Sequence, residues 1–263
     1  MRALPFPSLR QRDSAPEPMP TLERVRVELP DGAGTAAWVA RFDRDRFDLR
    51  VGLIDPCATV LAWCEAGEAD HAIVGGFYMR PGGPPLGHLR IDGAAVASEP
   101  FDAPWDERRA CVHSAEGRVG LAAWRDLPAD AAGDVLQAGP MLVAAGRNLI
   151  AAGEDLEGFA AGARQFDSDI TAGRYPRAAL GTSAEHLIAV VCDGRSDEDA
   201  GLSMAELAGA MIDLGAADAI NLDGGGSASL VVGRSLVNTP REEHGIELRG
   251  GRAVCTALRF VPR

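Results

Sequence analysis

Asn221-Leu222-Asp223-Gly224-Gly225-Gly226-Ser227 is the stretch on which the fold turns. It sets three consecutive glycines between two apolar runs, Ala219-Ile220 before it and residues 228–232 after it. Glycine loses more backbone entropy on ordering than any other residue, so three in a row are costly unless positive φ or bare amides are needed. Successive uncovered N–H groups suit the close approach of an anion. The same seven residues carry a carboxylate, Asp223, and a hydroxyl, Ser227. A tight hairpin built on Asp-Gly would need only two turn residues. The surplus glycine favours a functional turn between a buried strand and a returning one.

Upstream, Ser203-Met204-Ala205-Glu206 is a capping box, in which hydroxyl and carboxylate satisfy free amides reciprocally at a helix start. Leu207, Met211 and Leu214 then repeat on one face until Gly215 stops the helix. Before it, residues 178–180 and 187–192 read as strands, the second ending at Asp193-Gly194-Arg195. A helix of this length between two strands can return the chain so that their ends meet, which pairs Asp193 with Asp223. Two carboxylates in different environments can divide the work of acid and base, or of nucleophile and acid. Arg177, after Pro176 at a strand start, reads either as a clamp for phosphate or carboxylate or as a surface ion pair.

The first half is also rich in strands. Residues 22–29, 36–42 and 47–54 read as three strands joined by turns at Pro30-Asp31-Gly32 and Asp43-Arg44-Asp45, which predicts a β-meander. Residues 58–69 have helical spacing, and residues 71–74 form a buried strand running into Gly75-Gly76-Phe77-Tyr78. A double glycine there marks a bulge or a close backbone approach, with Phe77 as an aromatic wall for a sugar ring or as core packing. Residues 88–96 read as a hairpin, residues 111–113, 119–122 and 135–143 as short strands, and residues 155–164 as a short helix before the polar Asp167-Ser168-Asp169. The predicted fold class is α+β: a mixed, largely antiparallel central β-sheet with flanking helices, in a single domain over residues 21–263. Pro5, Pro7, Pro16, Pro18 and Pro20 make residues 1–20 a proline-rich arm outside the chemistry.

Composition narrows the function. A chain with 46% hydrophobic and 24% charged residues can build a core. A net charge of −12 argues against nucleic acid as a partner, because phosphate neutralisation needs a basic face. The five cysteines are odd in number and form no Cys-x-x-Cys, so neither a disulfide framework nor a zinc site is expected. His71, His88, His113, His186 and His244 have no metal-ligand spacing. No cofactor is required by this reading, and a divalent metal ion has no support in the spacing. Gly-x-Ser-x-Gly, a P-loop and a dinucleotide fingerprint are absent. No stretch is long and apolar enough for a signal peptide or a membrane span, so cytoplasmic residence is the expectation. Oligomeric state leaves no mark on the sequence.

Together Gly75-Gly76-Phe77-Tyr78, Pro176-Arg177 to Gly181, Val191 to Arg195 and residues 201–232 resemble the phosphodiester glycosidase family. The likeness extends weakly through Val237-Asn238 to a closing strand at residues 255–261 and covers roughly residues 22–261. Bacterial members of that family are often labelled exopolysaccharide biosynthesis proteins. The resemblance implies hydrolysis of a sugar-1-phosphodiester, with a small sugar phosphate or a polysaccharide as substrate. It places the family's polar residues on Arg177, Asp193, Asn221, Asp223 and Ser227. On this basis Asp223, Asp193 and Arg177 are the expected catalytic residues, with the Gly224, Gly225 and Gly226 amides and Arg177 on the phosphate. Gly75, Gly76, Phe77, Arg195, Asn221 and Ser227 complete the expected substrate contacts. Two positions depart from the family: Val74 stands where Asn is common, and Ala178 where Thr is common. Those departures motivate a second reading, a phosphosugar or carbohydrate binder that keeps the fold without the activity. Metal-assisted P–O cleavage by the aspartates is a third.

Overall fold

The computed structural model describes residues 18–79, 82–150, 156–159 and 173–263. The expected helix at residues 155–164 falls mostly outside them, as do Asp167-Ser168-Asp169 and all but the end of the arm. In chain order the elements are β1 (Thr21–Glu28), β2 (Gly34–Asp43), β3 (Phe47–Ala58), α1 (Val60–Glu65), β4 (His71–Val74), β5 (Leu89–Ile91), β6 (Ala94–Ala95), β7 (Ala110–Ala115), β8 (Arg118–Ala123) and β9 (Asp134–Gln137). There follow β10 (Met141–Ala144), β11 (Arg147–Asn148), β12 (Arg177–Thr182), β13 (His186–Cys192), α2 (Met204–Asp213), β14 (Asp218–Asn221), β15 (Leu230–Val232), β16 (Ser235–Leu236) and β17 (Val254–Pro262).

The fold is α+β, and its strands pair antiparallel throughout, but they divide among three sheets rather than one. The largest runs β1-β2-β13-β12-β14-β10-β11, the second β16-β15-β4-β17-β3, and the third β6-β5-β9-β7-β8. The β-meander expected from β1, β2 and β3 is therefore incomplete. β2 pairs with β1 and β13, whereas β3 crosses to the second sheet and pairs with β17. Burial explains the crossing. Both faces of β2 are covered: Ala40 and Phe42 enter the core shared by the three sheets, while Ala37 and Val39 enter the core beneath α2. A strand buried on both sides has no solvent face whose alternation could reveal its partner.

α2 is the helix that the capping box predicts. Ser203 Oγ accepts from the Glu206 amide, the Glu206 carboxylate accepts from the Ser203 amide at 2.9 Å, and Gly215 follows the Leu214 C-cap with φ of 89°. Leu207 and Met211 are wholly buried against the largest sheet, each contributing about 2 kcal/mol of apolar burial. α1 is shorter than the pattern over residues 58–69. Thr59 caps it, and Gly67, with φ of 93°, stands just past its end.

Candidate active site

Sheet register brings the carboxylates to one edge. β12 pairs antiparallel with β13 through Arg177↔Cys192 and with β14 through Ala179↔Asn221. β13 and β14 therefore point the same way with β12 between them, and α2 is the crossover that joins them. Arg177 at the start of β12, Asp193 just past β13 and Asp223 just past β14 share one end of the sheet. Asp193 and Asp223 flank β12, so their backbones lie two strand spacings apart, about 10 Å.

The glycine turn is no hairpin, because β15 pairs with β4 in the second sheet, not with β14. It carries the chain from one sheet to the next over a crowded path. Gly225 has φ of 59°. A Cβ on Gly224 would stand 2.9 Å from the Pro176 carbonyl oxygen, and one on Gly226 would stand 2.8 Å from Leu248 and 2.9 Å from a Glu242 carboxylate oxygen. The double glycine completes the junction. The Asp223 amide donates to the Gly75 carbonyl at 3.0 Å, and the Gly75 amide and Gly76 amide donate to the backbone oxygen and hydroxyl of Thr256, each at 3.0 Å.

Asp223 is the most perturbed carboxylate at this junction. Burial pushes its pKa up to about 6, against the pull of Ser227, Arg252 and the Gly224 amide. One carboxylate oxygen accepts from the Gly224 amide at 2.9 Å. The other is buried within the influence of the Ser227 hydroxyl, though neither atom completes a well-formed hydrogen bond, and Asn221 Oδ1 is buried without a partner among the described residues. Asn221 is oriented by its amide, which donates to the Gly139 carbonyl at 2.9 Å. Native interiors pair nearly all buried polar atoms, so these incompletely satisfied oxygens along one seven-residue stretch make the turn the candidate for ligand contact.

Around Asp223 stand Tyr78, from the double-glycine motif, and two groups that the sequence did not single out, Arg252 and Glu242. Arg252 donates to both oxygens of Glu242 at 2.7 and 2.5 Å and to the Tyr78 hydroxyl oxygen at 3.2 Å. Its backbone amide donates to the Gly226 carbonyl at 2.9 Å, which fastens it to the turn. Burial, then the Asp223 charge, raises the Tyr78 pKa. Tyr78, not Phe77, is the aromatic at the site. Phe77 packs into a separate apolar cluster with Leu86, Phe101 and Phe159, the core-packing alternative of its two readings.

Asp193 sits in different company. Its carboxylate accepts from the Thr239 amide at 2.8 Å, and burial raises its pKa, with Asp199 raising it further and Thr239 and Arg241 lowering it. It shares no hydrogen bond with Asp223 among the described residues. The two arginines also differ. Arg177 is almost fully buried and donates to the carbonyls of Leu202 at 2.9 Å and Gly173 at 3.0 Å. Burial lowers its pKa to about 10. Arg195 lies over the glycine turn, its Nη1 3.4 Å from where a Gly225 Cβ would be. Its backbone is left-handed, with φ of 59°, a conformation that side-chain-bearing residues hold at a cost. Tyr175 lies between the two, its ring centre 5.2 Å from the Arg177 guanidinium and 5.3 Å from that of Arg195. Of the three turn amides, those of Gly224 and Gly225 already donate within the chain, to Asp223 and to the Pro176 carbonyl. Arg195 brings a second positive charge to the turn beside Arg252, its Nη1 donating to the Arg241 carbonyl at 3.2 Å and standing 3.9 Å from a Glu242 oxygen.

The two departures from the family pattern adjoin the junction, Val74 next to Gly75 and Ala178 next to Arg177, where the Ala178 carbonyl accepts from the Leu222 amide at 2.9 Å. Val74 and Ala178 are wholly buried in the core shared by the three sheets.

A sequence model of phosphodiester glycosidases matches residues 67–261. No curated protein matches the chain. Among solved structures, the catalytic domain of zebrafish N-acetylglucosamine-1-phosphodiester alpha-N-acetylglucosaminidase, auto-inhibited by its pro-peptide, superposes with a TM-score of 0.72 at 19% identity, over 96% of this chain and 86% of that one. A hypothetical protein from Synechocystis superposes with a TM-score of 0.62 at 17% identity, over 93% of this chain. The match spans 62% of the Synechocystis chain. At these identities the two structures speak for the fold.

Proposed function

The chain belongs to the phosphodiester glycosidase family, and from that premise we propose that it hydrolyses a sugar-1-phosphodiester at the bond between the anomeric carbon and the phosphate oxygen. The observation that carries this reading is Asp223. Its outer carboxylate oxygen and the Ser227 hydroxyl, buried together without a well-formed hydrogen bond, stand with the buried Asn221 Oδ1 on one turn that Arg195 and Arg252 approach.

The chemistry of the leaving group decides the role of Asp223. A phosphate monoester has a second pKa of about 6, so it departs readily without a strong acid behind it. Activating the incoming water is the harder task. Ionised Asp223 takes a proton from water as the water oxygen bonds to the anomeric carbon and the carbon–oxygen bond to phosphate breaks. Arg195 receives the phosphate across the glycine turn, and Arg252, held by Glu242, faces the developing negative charge. Asp193 supplies a second carboxylate at the far side of β12, and Arg177 braces the segments that hold Tyr175 and Arg195. Substrates of surface-polysaccharide, nucleotide-sugar or glycolipid type fit this scheme.

The buried positions of Val74 and Ala178 bear on the non-catalytic alternative. Both replace polar family residues within apolar packing, while Asp223, Ser227 and Asn221 keep their polar groups at the turn. Turnover of a panel of sugar-1-phosphodiesters tests the proposal. Release of reducing sugar and phosphomonoester, lost in Asp223→Asn with the fold retained, is the expected result. Binding of sugar phosphate without turnover of any diester would replace the enzyme with a binder.

A further inference from the structure

Two thiols meet beside the proposed site. Along the β3–β17 pair, Val254 lies opposite Ala58 and Thr256 opposite Leu53, so Cys255 alone faces the bulged stretch from Ile54 to Cys57. The bulge brings Cys57 back toward Cys255. Both thiols donate to one acceptor, the Gly83 carbonyl, Cys57 at 3.7 Å and Cys255 at 2.9 Å. Their shared acceptor sets the two sulfurs in one neighbourhood. Cys64, Cys111 and Cys192 are wholly buried elsewhere, whereas Cys57 is half-buried and open to a small reagent.

We propose that Cys57 and Cys255 form an oxidisable dithiol that closes to a disulfide in the presence of a peroxide. The peroxide oxidises the Cys57 thiol to a sulfenic acid and leaves as water. The Cys255 sulfur then bonds to the Cys57 sulfur and displaces a second water. In sum two thiols and one peroxide give one disulfide and two waters, with two electrons passing to the peroxide. Cys57 is the first to react because it is the more accessible. Burial, with the neighbouring Cys57 and the Asp223 charge, pushes the Cys255 pKa up to about 12 and keeps it a thiol until its partner is activated.

The crosslink reaches the site through one residue. Thr256, next to Cys255, receives the amides of Gly75 and Gly76, and the Gly75 carbonyl receives the amide of Asp223. Drawing Cys255 toward Cys57 strains that chain of bonds at the turn, so oxidation lowers turnover. This consequence rests on the glycosidase reading; the crosslink does not.

The full chain is treated in its folded state with hydrogen peroxide, quenched, unfolded and titrated for thiols, and its peptides are mapped by mass spectrometry. Of the five cysteines, two should be lost as a single Cys57–Cys255 linked pair and regained with dithiothreitol. Cys57→Ser should form no linked pair and keep its turnover under peroxide, while the parent loses several-fold. The proposal is overturned if all thiols survive, if Cys57 over-oxidises while Cys255 stays a thiol, or if Cys57 links to another cysteine. A linked pair that leaves turnover unchanged overturns the coupling to the site. A reduced protein with no turnover defeats the glycosidase reading and leaves the crosslink result standing.

Discussion

The amide of Asp223 donates to the carbonyl of Gly75 at 3.0 Å, which joins the first sheet's glycine turn to the second sheet's double glycine at the carboxylate itself. Gly75 has no room for a side chain. A Cβ there would meet Thr256 Oγ1 at 2.5 Å and the Thr256 backbone carbon at 2.9 Å. Gly75→Ala should therefore displace Asp223 as it relieves the clash. The expected cost is about 1–3 kcal/mol in stability, the range for overpacking a core. Turnover measured on the folded fraction should fall further than that loss explains, whereas an unchanged kcat would show that the junction does not position Asp223.

Burial of Asp223 also fixes how stability depends on pH. Its folded pKa of about 6 lies above the reference 3.8, so between those values the folded chain keeps a proton that the unfolded chain has released. Stability contributed by this group is present below about pH 4 and lost as the pH rises through about 6. The full difference corresponds to at most about 3 kcal/mol, and less to the extent that water reaches the carboxylate. Asp223→Asn removes the penalty, so denaturant unfolding should find the variant more stable than the parent at pH 8 and equal to it near pH 4. Equal stability at both pH values would mean that the carboxylate is not held out of water. In the parent enzyme kcat/KM should rise through pH 6 as Asp223 ionises.

Arg195 carries the prediction about phosphate. Hydrogen bonds to charged groups contribute about 1.5–3 kcal/mol, so Arg195→Ala should raise KM about 10- to 100-fold. Arg195→Lys keeps the charge but not the planar fork, and should recover only part of the loss. Arg177→Ala should instead lower stability, because its guanidinium holds the Leu202 and Gly173 carbonyls. Steady-state kinetics on both variants, beside thermal unfolding, separates the two. An Arg195 variant with an unchanged KM would remove Arg195 from the phosphate site.

Much of this was legible in the sequence, and the rest was hidden for physical reasons. The capping box at Ser203 is a local signal, and α2 starts where it predicts. The glycine turn stood out because three glycines carry a cost that simple connection does not require. The assignment of β3 to the second sheet was hidden because the Asp43-Arg44-Asp45 turn has the composition of a hairpin whichever sheet receives the next strand. Tyr78 and Arg252 meet across 174 residues of chain. Arg252 and Glu242 lie in an irregular stretch where charged residues are ordinary, so neither spacing nor type distinguished them. Phe77 and Tyr78 are adjacent aromatics, and only their packing separates core from site.

The helix cap gives a control on the fold. Ser203→Ala removes one half of the capping box, at a cost of about 1 kcal/mol, or about 2–4 °C in melting temperature for a chain of this size. The α2 crossover sets the parallel course of β13 and β14, yet Ser203 touches neither Asp193 nor Asp223. Turnover per folded molecule should stay at the parent's level while the melting temperature drops. A large fall in kcat with no change in melting would contradict a purely structural cap.

Hydrolysis in heavy-oxygen water tests the central claim most directly. A sugar-1-phosphodiester is turned over to completion, and both products are weighed by mass spectrometry. If Asp223 delivers water to the anomeric carbon, the heavy oxygen appears in the released sugar, the phosphomonoester stays light, and Asp223→Asn yields neither product at a comparable rate. Heavy oxygen in the phosphomonoester would show that water attacks phosphorus and would contradict the account.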